Sequence, residues 1–314
     1  MPDSRRRPRP TRRDEPLSAS SPSPSSPPDA GQGRHTRFEA VRLHLESWSP
    51  RPGWRSWLYE FLLFGFKQGW ACLFGGLMLA LLLGTYLLYP ADAPLHRYDF
   101  ITIMAVIIQL AMLLLRLETW DEAKVIFAFH IVGTIMELFK TSVGSWVYPE
   151  EALLRIGGVP LFTGFMYACV GSYLARVWRI FDFRFTRFPD LLPLGAVAFG
   201  IYLNFFTHHW TIDLRWLLFA AIIWLFRGTW VHFRPWREHR RMPMLVGFLL
   251  VALFIWFAEN IGTFARAWTY PGQQAGWRMV SLGKLTSWYL LMILSFTLVA
   301  ALHRRAKAPA DQIT

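Results

Sequence analysis

Residues 70–89 read WACLFGGLMLALLLGTYLLY, twenty consecutive positions without a charged side chain. A helix of about 20 apolar residues crosses about 30 Å of hydrocarbon, so the stretch has the length and character of a membrane span. FITIMAVIIQLAMLLLRL at 100–117 and PMLVGFLLVALFIWF at 243–257 are of the same kind.

A chain of 314 residues could make two soluble domains or one polytopic membrane domain, and length does not decide between them. Composition does: hydrophobic residues are 54%, charged residues 17%, and the mean hydropathy is +0.27. The apolar positions fall in long blocks, which a water-soluble core does not need. The reading is an all-α, polytopic transmembrane bundle of about eight spans, near 70–89, 100–117, 123–143, 159–180, 191–207, 213–231, 243–265 and 285–302. The fifth carries Pro193 and Gly195 in its first turn, which neighbouring helices can accommodate.

Outside this transmembrane domain of 70–303 the composition changes. Residues 1–35 contain RRRPRPTRR and SASSPSPSSPP and lack the apolar side chains that offset ordering entropy, so a disordered tail is expected. No apolar segment follows closely enough for a signal peptide, and the arginines suit anionic lipid better than nucleic acid, which is not an expected partner. Residues 36–69 include LYEFLLFGFKQ at 58–68, broken by Glu60 and Lys67, and read as an interfacial lead-in or the start of a long tilted helix. Residues 304–314 form a short tail.

The net charge of +12 is unevenly placed. Arg176, Arg179, Arg184 and Arg187 follow the fourth expected span; Arg227, Arg234, Arg237, Arg240 and Arg241 follow the sixth; Arg304, Arg305 and Lys307 follow the last. The positive-inside rule puts both termini in the cytoplasm, as expected of a multi-pass inner-membrane protein. Cys72 and Cys169 have no spacing that suggests a metal or redox pair.

One motif occurs twice. MELFKTSVGSWVYPE, ending at Glu150, and AENIGTFARAWTYPG at 258–272 share E-x3-T-x4-W-x-Y-P at an offset of 122 residues. Glu137, Thr141, Trp146 and Tyr148 align with Glu259, Thr263, Trp268 and Tyr270. Each copy closes an odd-numbered span, so both carboxylates approach one face, as a parallel four-plus-four repeat requires. His130 lies seven residues before Glu137, and Thr141 one turn after it, on one helical stripe with Lys140 beside it. Charged groups near hydrocarbon should face a bundle interior, a cavity or one another. The candidate catalytic residues are therefore Glu137, Glu259 and His130, with Trp146, Tyr148, Trp268, Tyr270, Thr141, Thr263 and Lys140 as substrate-binding residues. The bland alternative pairs Glu137 with Lys140 and Glu259 with Arg266 at the interface, with the aromatic residues as headgroup anchors.

Other polar groups read more simply. His208, His209 and Asp213 could help bind a divalent metal, but a solvated loop anchored by Trp210 is the plainer reading, and no metal is expected. Asn204 is expected to bond across helices. RLETWDEAK reads as a topology-setting turn outside the apolar interior, and Asp182, Arg184 and Arg187 as a basic loop able to meet a lipid phosphate. No Walker A, GxGxxG, HExxH or GxSxG pattern occurs, which argues against nucleotide-driven, nicotinamide-dependent or serine-hydrolase chemistry, and no cofactor is expected.

The run from YEFLLFGFKQGWACLFGG through ETWDEAK, GTIMELFKTSVGSW, VPLFTGFMYACVGSYLARVW, NFFTHH and WFAENIGTF to SLGKLTSWYL resembles the bacterial membrane family known as domain of unknown function 817, over roughly 40–303. That resemblance implies no established reaction. Glu137, Gly144, Trp146, Tyr148, Pro149 and the GGVPLF turn (Gly157, Gly158, Val159, Pro160) are also similar to carotenoid-modifying membrane proteins of the bacterioruberin hydratase type. This second likeness implies an enzyme acting on long isoprenoid chains.

Three functions are open to such a chain: an intramembrane enzyme on an isoprenoid or other lipid double bond, with Glu137 or Glu259 as acid; a transporter for a small solute with Glu-lined sites; and a noncatalytic scaffold. Rigid aromatic-flanked carboxylates and the lack of an interrupted mid-membrane helix favour the enzyme. Membrane lipids are the expected partners. Oligomeric state is left open, since the small residues of FGGLMLALLLG serve contacts within or between subunits equally well.

Overall fold

A computed structural model describes residues 37–48 and 53–307. The tail expected at 1–35 and the last seven residues lie outside them. Ten helices occur among the described residues: α1 (Arg37–Ser47), α2 (Trp54–Ala71), α3 (Leu73–Leu88), α4 (Arg97–Leu114), α5 (Trp120–Ser142), α6 (Phe162–Ile180), α7 (Leu191–Thr207), α8 (Arg215–Phe226), α9 (Met244–Phe264) and α10 (Leu282–Lys307). Two short antiparallel sheets sit at the helix ends, β1 (Arg155–Ile156) with β2 (Val159–Pro160), and β3 (Arg184–Thr186), β4 (Trp230–Phe233) and β5 (Arg240–Pro243) in that order.

The architecture is a helical bundle, but not the eight-span, four-plus-four one expected. Four helices, α4, α5, α9 and α10, are long and apolar enough to cross a membrane, or five if the bent pair α2 and α3 counts as one span. The 213–231 run fails because α8 stops at Phe226 and the chain enters β4. At 17 residues α7 is also short. In α6, Arg176 and Arg179 interrupt the apolar run near its end. The 70–89 block is broken at Cys72, and the segment read as an interfacial lead-in belongs to α2, which meets α3 at 67°. Arg176 stabilises this break: its Nη1 donates to the Trp70 carbonyl at 3.0 Å, and its Nη2 to Glu118 Oε1 at 2.8 Å.

Local chemistry sets the helix ends. Thr119 and Glu122 form a capping box at the start of α5. RLETWDEAK is expected to lie outside the apolar interior, but Glu118 and Glu122 are buried, paired with Arg176 and Arg179 of α6. Gly157 and Gly158, both at positive φ, make the two-residue turn of the β1–β2 hairpin.

The core is apolar and aromatic, with Phe74, Ile101, Phe162, Phe248 and Ile293 buried. The outer surface is also apolar: Phe254 is 71% exposed and Leu192 85%. Large apolar side chains on the outside of a helical bundle are matched to lipid rather than to water. Close approach of α5 and α6 depends on glycine. A Cβ on Gly133 would lie 2.6 Å from Tyr167, and one on Gly164 2.4 Å from His130.

Candidate functional site

Both motif copies terminate their helices in the same way. At the end of α5, the Gly144 N–H donates to Thr141 O and the Ser145 N–H to Lys140 O; at the end of α9, Arg266 donates to Thr263 O and Ala267 to Gly262 O. This is the Schellman pattern, with Gly144 (φ 70) and Arg266 (φ 50) in the left-handed position. Each turn folds its tyrosine back over the helix it leaves.

The tyrosines land on the carboxylates. The Tyr148 hydroxyl donates to Glu137 Oε2, and the Tyr270 hydroxyl to Glu259 Oε1. Trp146 Nε1 adds a second donor to Glu137 Oε2 at 2.7 Å, while Glu259 Oε2 takes its second from Trp288 Nε1 of α10, also at 2.7 Å. Both glutamates are buried, at 5% and 3% exposure. Burial first, then the neighbouring carboxylate, pushes both tyrosine hydroxyls well above their ordinary range, so they remain proton-bearing donors.

The copies differ in the tryptophan for a steric reason. The Trp268 ring lies on Gly262, where a Cβ would meet it at 2.4 Å. The matching position in the first copy is Lys140, which leaves Trp146 no such seat, and its Nε1 turns to Glu137 instead.

Lys284, near the start of α10, completes the cluster. Its ammonium sits 4.2 Å from the centre of the Tyr270 ring and 5.2 Å from that of Trp146, and its charge acts on both Glu137 and Glu259. Tyr167 of α6 reaches Glu137 because Gly133, one turn before that glutamate, leaves room for its ring. Tyr167 and Trp288 also line a narrow apolar cavity of ≈ 40 Å³ between α5, α6, α9 and α10.

The other expected site residues lie outside this hydrogen-bonded core. Lys140 pairs with neither glutamate; its Nζ donates to the Phe205 carbonyl at 2.7 Å and lies 2.9 Å from His209 Nε2. Among the described residues Glu137 and Glu259 form no ion pair within 4 Å, so the Lys140 and Arg266 pairing is absent. His130 packs on Phe165, ring centres 4.5 Å apart. Thr263 bonds to the α9 backbone and accepts Trp277 Nε1, whereas the Thr141 hydroxyl is buried without a partner. Asn204, expected to bond across helices, instead closes the turn between α7 and α8 through Asp213 and the Leu214 N–H. Among the described residues no three His, Cys, Asp or Glu side chains gather to hold a metal.

The sequence reading missed Lys284, Trp288 and Tyr167. The last three-residue contact set comes from α6 and α10, which no motif connects to the duplicated stretch; tryptophan at one-turn spacing from a lysine in KLTSW was the available signal.

A family model described as "Protein of unknown function (DUF817)" matches residues 60–296. The chain belongs to the DUF817 family. This DUF817 protein is 46% identical over 241 residues to the "Uncharacterized protein YoaT" of Bacillus subtilis (strain 168), a match covering 77% of this chain and 90% of that one. No solved structure matches it. The likeness to carotenoid hydratases finds no support in these relatives. With its spans and its bacterial relative, this DUF817 member is a multi-pass bacterial membrane protein with buried acidic residues.

Proposed function

We propose that the protein is a membrane carrier for a small solute, with Glu137, Glu259 and Lys284 at its binding site. The observation that carries this reading is the convergence of two hydrogen-bonded carboxylates, from separate helices, on one half-buried ammonium. An intramembrane acid catalyst has to present its proton to substrate. Here tyrosine and tryptophan donors are aimed at both carboxylates, whose oxygens accept from them. The ≈ 40 Å³ cavity has room for about three water-sized groups and no long isoprenoid.

The orientation follows the same reading. The arginine-rich sheet of β3, β4 and β5 lies at the bundle end opposite the Glu137 cluster. Facing it to the cytoplasm puts both termini inside a bacterial inner membrane and the cluster toward the outer face.

The test is a comparison of a strain lacking the gene with its complemented parent, scored for solute uptake and for lipids and pigments together. A solute whose uptake is lost, with lipids unchanged, supports the carrier. A lipid that accumulates, with uptake unchanged, replaces it with the enzyme.

A further inference from the structure

Lys284 shows what the site can hold. Its ammonium is seated against the faces of Tyr270 and Trp146 and, among the described residues, makes no ion pair within 4 Å. Aromatic faces backed by carboxylates are the surroundings that recognise an ammonium ligand. Glu137 and Glu259 both lie close enough for its charge to act on them. The other nearby cations have partners of their own: Arg215 pairs with Asp213 at 3.4 Å and bonds Thr286, and Lys140 is held by Phe205 and His209.

Two further features bear on the ligand. Lys284 is only partly buried and projects from the first turn of α10 on a flexible four-carbon stem, so it can withdraw. Tyr167 and Trp288, which meet Glu137 and Glu259, also line the apolar cavity, so those two rings are the wall between the polar cluster and the apolar space.

We infer that the site takes a small alkylammonium ion, whose ammonium replaces that of Lys284 between the aromatic faces and the carboxylates and whose short alkyl group enters the cavity. Lys284 is then a tethered competitor, resident when the solute is absent. This rests on the carrier reading of the same site.

The experiment is calorimetric titration of ethylammonium chloride into the full chain in lipid nanodiscs, with uptake of labelled ethylammonium into liposomes as a second readout. Wild type binds; K284Q binds at least tenfold tighter, because its internal competitor is gone; E137Q and E259Q bind at least tenfold weaker. Ser295→Leu, which fills the cavity from α10, weakens ethylammonium and spares methylammonium. Binding by K284Q no tighter than wild type, or indifferent to both glutamine variants, overturns the inference. K284Q and Ser295→Leu keep it testable if the glutamine variants fail to fold. Glu137-dependent uptake of a neutral or anionic solute, without ethylammonium binding, overturns the ligand and leaves the carrier. Ethylammonium binding without uptake supports the site and removes the carrier.

Discussion

Val147 and Thr269 exchange both backbone hydrogen bonds, Val147 N–H to Thr269 O at 3.0 Å and Thr269 N–H to Val147 O at 2.9 Å. They hold the same place in the two motif copies, so an antiparallel pairing of one with the other puts a local two-fold axis between them. The turns that follow α5 and α9 therefore pair with one another, and Trp146 and Tyr270, which lie in them, both face the Lys284 ammonium.

The tyrosine donors should hold the site together. Y148F and Y270F each leave a buried carboxylate short of an O–H donor, and a hydrogen bond to a charged group contributes roughly 1.5–3 kcal/mol. Thermal unfolding in detergent should show a lower midpoint for each. Pairing Y148F with E137Q should be clearly less than additive.

Glycine packing sets where Tyr167 sits. G133A drives a methyl group to 2.6 Å from that ring and should cost about 1–3 kcal/mol while displacing the hydroxyl from Glu137. G144A meets open space but places a side chain at φ 70, for about 1–2 kcal/mol and no effect on Tyr167. Unfolding midpoints together with ligand titration separate the two.

Arg97 closes the same end of the bundle. Its guanidinium pairs with Glu150 at 2.6 Å and donates to the carbonyls of Ala265 and Arg266 just past α9. R97A leaves the Ala265 carbonyl and Glu150 without this partner, while the Arg266 carbonyl keeps the Tyr98 hydroxyl, and should cost about 1–3 kcal/mol. R97K, lacking the fork, should recover less than half of that. Hydrogen exchange across 150–154 and 265–270 should rise in both.

Acid should loosen the contact between α5 and the α7–α8 turn. Partial burial first, then the charges of Lys140, His208 and Lys284, push the His209 imidazole below its ordinary 6.5. A base with a lowered folded-state value gives stability that is complete above 6.5 and is lost as pH falls through that lower value. Midpoints measured from pH 8 downward should drop through this window in wild type and drop less in H209Q. The effect should be small because His209 is exposed.

Sequence alone conveyed the helical membrane character, the paired carboxylates and three of their donors, Trp146, Tyr148 and Tyr270. The span count was not legible, because an apolar run does not reveal where its helix ends: 213–231 runs on into β4, and 70–89 breaks at Cys72. Nor was the path of Lys140. Three residues after Glu137 on a 3.6-residue helix, it projects on the neighbouring stripe and reaches the α7–α8 turn. Lys284, Trp288 and Tyr167 come from helices that share no motif with the duplicated stretch, so only the packing brings them in.

The most direct test of one shared site is uptake of labelled ethylammonium by liposomes carrying wild type, E137Q, E259Q and the double variant, at matched and verified insertion. The account predicts at least a tenfold loss from either single change and no further loss from both, since either removes the same site. Wild-type rates in either single variant, or losses that multiply in the double, would contradict it.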